Sequence, residues 1–203
     1  VRPAAFLDRD GVINDPVWDA VDGRHESPHK AEEVVLAEGA VEGLRALRAQ
    51  GLVLIAVSNQ PSAAKGKATP GGLRAVHDRV VALLAEQGVA LDDWRYCFHH
   101  PNGTVPELTG ACDCRKPAPG MLLEGAAAHE VDLAASWMIG DSDADVLAGR
   151  AAGTRTILVE HPGSAHRRSG QMQADAVCRN LLEAAAFTRV DEIRARSPLG
   201  SSK

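Results

Sequence analysis

Long apolar runs are the first thing this 203-residue chain lacks. None approaches the roughly 18 residues that a membrane-spanning helix needs, so no membrane partner is expected. No charged-then-apolar leader opens the chain either, which makes cytoplasm the expected location. A basic excess is also missing: 22 Lys and Arg stand against 27 Asp and Glu, for a net charge of −5. Proteins that grip a nucleic-acid backbone present a basic face, so nucleic acid is not an expected partner. A phosphorylated small molecule needs only a few local cations and remains open. No internal repeat is visible, which sets solenoid and propeller architectures aside.

What is present fits a folded domain: 45% hydrophobic and 24% charged residues are ordinary values for a chain with its own core. We expect one domain over residues 1–190, a monomer, with a flexible tail at 191–203 whose end, Ser197 to Lys203, is polar. Short apolar runs alternate with helical patterns. Ala4 to Leu7 reads as a buried strand, and Leu52 to Val57, apolar throughout, as a strand covered on both faces. Further strands are expected at Trp94–Phe98, Ser136–Ile139, Thr154–Val159 and Ala176–Cys178. Helices are expected at Glu38–Gln50, from Thr69 as N-cap to near Gly88, and at Pro119–Glu130, Asp143–Ala152 and Leu181–Phe187. Strand and helix in alternation predict an α/β fold, a Rossmann-like, mostly parallel sheet with helices on both faces. The polar stretch Asp15 to Glu33 shows no periodicity and reads as a long connection of the kind that forms lids or binding loops.

Three of the expected strands end in chemistry. The first runs into Asp8-Arg9-Asp10-Gly11, the second into Ser58-Asn59, and a later one into Gly140-Asp141-Ser142-Asp143-Ala144-Asp145. Parallel strands place these ends on one edge of the sheet, where open α/β folds bind ligands. Carboxylates gathered there need a cation, and Mg²⁺ suits both oxygen ligands and phosphate. Asp141 and Asp145 lie four apart, so one helical turn aligns them if the helix begins early enough. Arg115-Lys116 and Lys65 supply cations for a phosphate.

Cysteines are few and crowded. Cys97-Phe98-His99 is followed, after twelve intervening residues, by Cys112-Asp113-Cys114. Three thiolates and an imidazole complete a tetrahedral Zn²⁺ site with no position open to water, so the site is structural. It pins an insert, His99 to Cys114, too small to fold on a core of its own. His100 is the competing ligand, and the C-x-H spacing favours His99. Cys178 lies apart in an apolar setting and reads as core.

Asp8-Arg9-Asp10-Gly11, Ser58-Asn59, Lys116 and Gly140-Asp141…Asp145 resemble, in order and rough spacing, the four motifs of the haloacid dehalogenase superfamily. The cysteine insert, with Cys114-Arg115-Lys116-Pro117 after it, resembles that superfamily's zinc-bearing branch, which has no large cap domain. The resemblance implies that Asp8 is a nucleophile carrying an aspartyl-phosphate. It implies Asp10 as general acid and then base. Ser58 and the Asn59 amide hold phosphoryl oxygens, and Lys116 neutralises developing charge. Asp8, the Asp10 carbonyl and Asp141 bind Mg²⁺, with Asp145 in support. Arg115 and Lys65 meet a second phosphate. The implied activity is removal of the C7 phosphate of a heptose 1,7-bisphosphate, in nucleotide-activated heptose biosynthesis. Histidinol phosphate is the alternative substrate, and a non-catalytic zinc-stabilised binding module is the alternative from another class. Three loops are expected to shape the pocket: Asp15 to Glu33, Pro61 to Lys67, and His99 to Cys114. Two departures touch substrate recognition. The branch commonly has N-Q-S-G-I-A-R-G where this chain has Asn59-Gln60-Pro61-Ser62-Ala63-Ala64-Lys65-Gly66, and lysine where it has Ser142.

Overall fold

The computed structural model describes residues 1–189, so the expected tail at 191–203 lies outside the described residues. Eight strands occur among them: β1 (Ala4–Leu7), β2 (Val17–Asp19), β3 (Arg24–Glu26), β4 (Val53–Asn59), β5 (Asp93–Cys97), β6 (Trp137–Gly140), β7 (Arg155–Val159) and β8 (Ala176–Cys178). The α-helices are α1 (Ala40–Ala49), α2 (Pro70–Glu86), α3 (Gly120–His129), α4 (Asp143–Ala152) and α5 (Leu181–Phe187). No described helix is long and apolar enough to cross a membrane.

Strand alternation sends the four buried residues of β1 to two cores. Ala5 and Leu7 join Leu44 and Leu47 of α1, Val76 and Val80 of α2, and Leu181 of α5. Ala4 and Phe6 face Met121 and Leu122 of α3 and Ala148 of α4. Helices therefore cover both faces, which is why the strands read as continuous apolar runs. The six-stranded sheet has the order β5-β4-β1-β6-β7-β8, and every neighbouring pair is parallel. From β1 the chain builds outward through β4 and β5, then returns to β6 on the other side. A crevice opens at such a switch point, beyond the carboxyl ends of the strands. Leu7 lies opposite both Ala56 and Ile139, so the residues following β1, β4 and β6 emerge together.

The stretch Asp15 to Glu33 is not a structureless connection. It contains an antiparallel hairpin, β2 with β3, pairing Val17 with Glu26 and Asp19 with Arg24, and then a 3₁₀ turn, Ala31–Glu33. Strands of three residues are too short for periodicity to register. The signal was in the turn: the Asp19 carboxylate accepts from the Val21 and Asp22 N–H groups, as turn aspartates do. Elsewhere element ends shift by one or two residues. Helix α1 begins at Ala40 rather than Glu38 because Gly39, at φ 74°, is left-handed and cannot continue a right-handed turn.

Candidate active site

Asp8 leaves the end of β1 with its backbone N–H bonded to the Ile139 carbonyl of β6 at 2.9 Å. The side chain is buried, and its Oδ1 meets Lys116 Nζ at 3.0 Å and the Arg9 N–H at 2.8 Å. Lys116 is buried too, and its Nζ also meets Asp145 Oδ1 at 2.5 Å. One ammonium thus bridges two carboxylates from opposite ends of the sequence. Burial opposes the charge on Lys116, but Asp145 and Asp8 outweigh it and hold the group above its ordinary pKa. Burial pushes the Asp8 carboxyl up; Lys116 opposes this while Asp145 and Asp10 add to it.

Asp10 has a separate set of partners. Its Oδ1 accepts from Arg9 Nε at 3.0 Å and Asn14 Nδ2 at 2.9 Å, and its Oδ2 from Ser27 Oγ at 2.8 Å and Gln60 Nε2 at 2.7 Å. Burial raises its pKa, but the Arg9 guanidinium and these donors outweigh it, and the carboxyl lies below its ordinary value. The two aspartates of the first motif therefore occupy opposite electrostatic settings two residues apart.

Asp141 and Asp145 do not share a helical turn, because α4 starts at Asp143. Asp141 precedes the helix, Ser142 is its N-cap, and Asp145 closes a capping box, accepting from the Ser142 N–H at 3.0 Å and hydroxyl at 2.6 Å. Asp145 thus caps the helix with one oxygen and holds Lys116 with the other. Oxygens of Asp8, Asp141 and Asp145 all lie within 4.8 Å of one another. Burial, then Asp8 and Asp145, push the Asp141 carboxyl well above its ordinary pKa. Its Oδ1 is buried without a hydrogen-bond partner among the described residues. Three oxygen donors, an orphaned oxygen and excess negative charge fit a divalent cation such as Mg²⁺. Gly11 leaves the room: at φ 92° it is left-handed, and a Cβ there would lie 2.0 Å from Asp141 Oδ2.

A cavity of about 340 Å³ opens above this floor, lined by Asp8, Asp10, Asn59, Lys65, Arg115, Lys116 and Asp145. Ser58 and Asp141 are buried behind it; Ser58 Oγ accepts from Gln60 Nε2 at 3.0 Å. The Asn59 side chain, whose part the sequence did not indicate, bonds both ways to the backbone of Lys116. Arg24, Glu26 and Ser27, from the first of the three expected pocket loops, join the lining, as do His166 and Arg167, which the sequence reading did not single out. The last two belong to a 3₁₀ turn after β7, Pro162–Arg167, which acts as a fourth framing loop. Its signal was the basic run His166-Arg167-Arg168 just beyond a sheet strand.

The insert brings together the four expected sulfur and nitrogen donors. Cys97, Cys112 and Cys114 Sγ lie 3.1–3.6 Å apart, and His99 Nδ1 lies 3.8 Å from Cys97 and 3.6 Å from Cys114. Zinc–sulfur bonds of about 2.3 Å give tetrahedral edges of roughly 3.7 Å, so the set fits Zn²⁺ with little movement. His100 Nδ1 instead accepts from the Asn102 N–H. Cys178 is buried in the core with α5. Arg115, next after the last cysteine, donates to the His99 carbonyl at 3.1 Å, which ties the cluster to the cavity wall.

Comparison with known proteins agrees with this geometry. The HAD-hydrolase-like family model matches residues 113–184, which hold Lys116, Asp141 and Asp145. The chain is 36% identical over 181 residues to the D-glycero-beta-D-manno-heptose-1,7-bisphosphate 7-phosphatase of Yersinia pestis, covering 89% of this chain and 92% of that one. It is 37% identical to the protein of the same name from Escherichia coli strain K12, covering 89% and 91%. Among solved structures, a D,D-heptose 1,7-bisphosphate phosphatase from B. bronchiseptica, complexed with magnesium and phosphate, matches with a TM-score of 0.75. Identity there is 26%, covering 97% of this chain and all of the other.

Proposed function

This chain belongs to the HAD-like hydrolases, with the heptose-1,7-bisphosphate 7-phosphatases it matches, and from that membership we propose a magnesium-dependent phosphatase. Its substrate is D-glycero-beta-D-manno-heptose 1,7-bisphosphate, which loses the C7 phosphate. The observation that supports the reading best is Lys116 held between Asp8 and Asp145 at the floor of a polar cavity.

Asp8 Oδ1 is engaged by Lys116 and the Arg9 N–H, so Oδ2 is the oxygen that attacks phosphorus. The bond from phosphorus to the C7 oxygen breaks, and Asp10 gives that oxygen its proton. An arriving phosphate dianion disfavours the charge on Asp10 by like-charge repulsion, which readies it to carry the proton. In the second half, Asp10 as carboxylate takes a proton from water, the water oxygen attacks phosphorus, and Asp8 is released with inorganic phosphate. Mg²⁺ held by Asp8, Asp141 and the Asp10 carbonyl supplies charge that offsets the phosphoryl oxygens. Zn²⁺ on Cys97, His99, Cys112 and Cys114 fixes the segment that carries Arg115 and Lys116.

Charge separates the two substrate readings. Lys65 and Arg115 line the cavity without an acidic partner among the described ion pairs, whereas Glu26 is shared with Arg24 at 2.6 Å. That lining favours a second phosphate over the amine of histidinol phosphate. Three cysteines grouped for a metal ion rather than joined in a disulfide suit a reducing cytoplasm. The test is phosphate release, with Mg²⁺, from both anomers of the heptose bisphosphate, histidinol phosphate and other sugar bisphosphates. The β anomer should be turned over fastest, and equal rates on all would sink the specificity.

A further inference from the structure

Neither cation of the motifs is fully free to meet a substrate. Lys116 is committed to Asp8 and Asp145, and Arg9 is buried against Asp10. The residue after Asp141 is Ser142, uncharged, with its hydroxyl on Asp145. Arg9, Lys116 and one divalent cation together only match the carboxylates of Asp8, Asp10, Asp141 and Asp145, so the charge of an entering phosphate is left without a counterpart. Arg24, Lys65, Arg115 and Arg167 also line the cavity, and Arg167, from the turn after β7, feels the carboxylates of Asp141, Asp10 and Asp8.

That turn is fastened to the site from several sides. The Ser164 hydroxyl donates to Asp141 Oδ2, and Arg168 Nη1 donates to the Asp141 carbonyl at 3.1 Å. His161 Nε2 lies 3.1 Å from Asp15 Oδ1. A Cβ on Gly163 would lie 2.9 Å from Pro16 and 3.2 Å from His25, so the turn packs tightly on the hairpin. Arg167 itself has a side chain only 24% exposed, yet its one described ion pair, with Glu26 Oε2, is long at 3.9 Å. Burial works against its charge, but Asp141, then Asp10 and Asp8, outweigh it and raise its pKa. A well-positioned guanidinium is left with donors to spare.

We propose that Arg167 binds the phosphoryl group being transferred, giving its oxygens charge-assisted hydrogen bonds beyond the single N–H that Lys116 keeps free of Asp8 and Asp145. The transferred group is favoured over the second phosphate because the carboxylates that act on Arg167 are those of the reaction centre. Lys65 and Arg115 are tied instead to the insert: Arg115 donates to the His99 carbonyl, and the Ala64 carbonyl beside Lys65 accepts from the Thr104 and Val105 N–H groups. Glu26 holds the guanidinium loosely until phosphate replaces it. The proposal rests on the phosphatase reading of this cavity but not on the identity of the sugar.

The test uses the full chain with Mg²⁺ and inorganic phosphate as the probe, read by calorimetry and by product inhibition. Arg167→Ala should weaken phosphate binding by roughly ten- to hundredfold, the range for a lost hydrogen bond to a charged group. Arg167→Lys should recover part of it, and added guanidinium should restore part of kcat/KM in the alanine variant. A simple phosphate monoester and the heptose bisphosphate should lose kcat/KM by the same factor. Glu26→Gln, which leaves Arg167 in place, should tighten phosphate binding a few-fold. Unchanged phosphate affinity in Arg167→Ala, or a loss confined to the bisphosphate, overturns the assignment. Failure of the heptose bisphosphate as a substrate leaves the phosphate measurement standing and counts only against the sugar.

Discussion

Asn59 and Lys116 hold each other by two hydrogen bonds: the Asn59 side-chain amide donates to the Lys116 carbonyl at 3.0 Å, and the Lys116 N–H donates to Asn59 Oδ1 at 3.1 Å. This clamp joins the end of β4 to the segment that follows the cysteines, and so fixes the root of the lysine that bridges Asp8 and Asp145. Asn59→Ala leaves two backbone groups without partners and should cut kcat by about tenfold or more. Steady-state kinetics with Mg²⁺ checks it; a wild-type kcat would mean that Lys116 is positioned by other contacts.

Asp8→Asn removes the attacking oxygen while preserving shape. Phosphate release should fall by at least about 10³-fold, and the substrate should still bind. Single-turnover assays separate the two effects, and turnover near the wild-type rate would displace Asp8 from its role.

Asp10→Asn breaks a buried pair with Arg9, at a cost of about 3–5 kcal/mol at neutral pH. The sign with pH follows from the lowered Asp10 pKa. A depressed carboxyl stabilises the fold above its unfolded value of 3.8, and that contribution is lost as pH falls through the lower folded value. Urea unfolding of both proteins should therefore show the full gap at pH 7 and a narrowing gap below 3.8. A gap independent of pH contradicts the ion pair.

Elemental analysis should find about one zinc per chain. Chelation, or Cys112→Ser, should lower both kcat/KM and thermal stability, because the cluster carries Arg115 and Lys116 into the cavity. Full activity in a zinc-free protein would separate the insert from the site.

The reaction-centre acids and the cysteine cluster were legible in the sequence because their chemistry demands particular residue types at sheet ends and at ligand spacing. Asp8, Lys116 and Asp141 could be paired before any contact was known. The hairpin β2–β3 was not, since three-residue strands carry no period. Asp145 was read only as metal support, although Ser142 and Asp145 spell a capping box; in the fold it serves α4 and Lys116 at once. Arg167 was missed for a different reason. The basic run His166-Arg167-Arg168 marks it as cationic, but its significance depends on a turn folding back onto the hairpin, which that run does not encode.

The central place of β1 bears on how the molecule is made. Its neighbours are β4 and β6, and the second arrives some 130 residues later along the chain. A nascent chain therefore exposes Asp8, the proposed nucleophile, long before Asp141, Asp145 or the Lys116 segment has been synthesised. Half the sheet can form early, but the edge of β1 that accepts β6 stays open and ready to pair with a stranger. Catalytic competence then arrives in one late event rather than by degrees. During synthesis, the strand that waits longest for its second neighbour is the one that leads into Asp8.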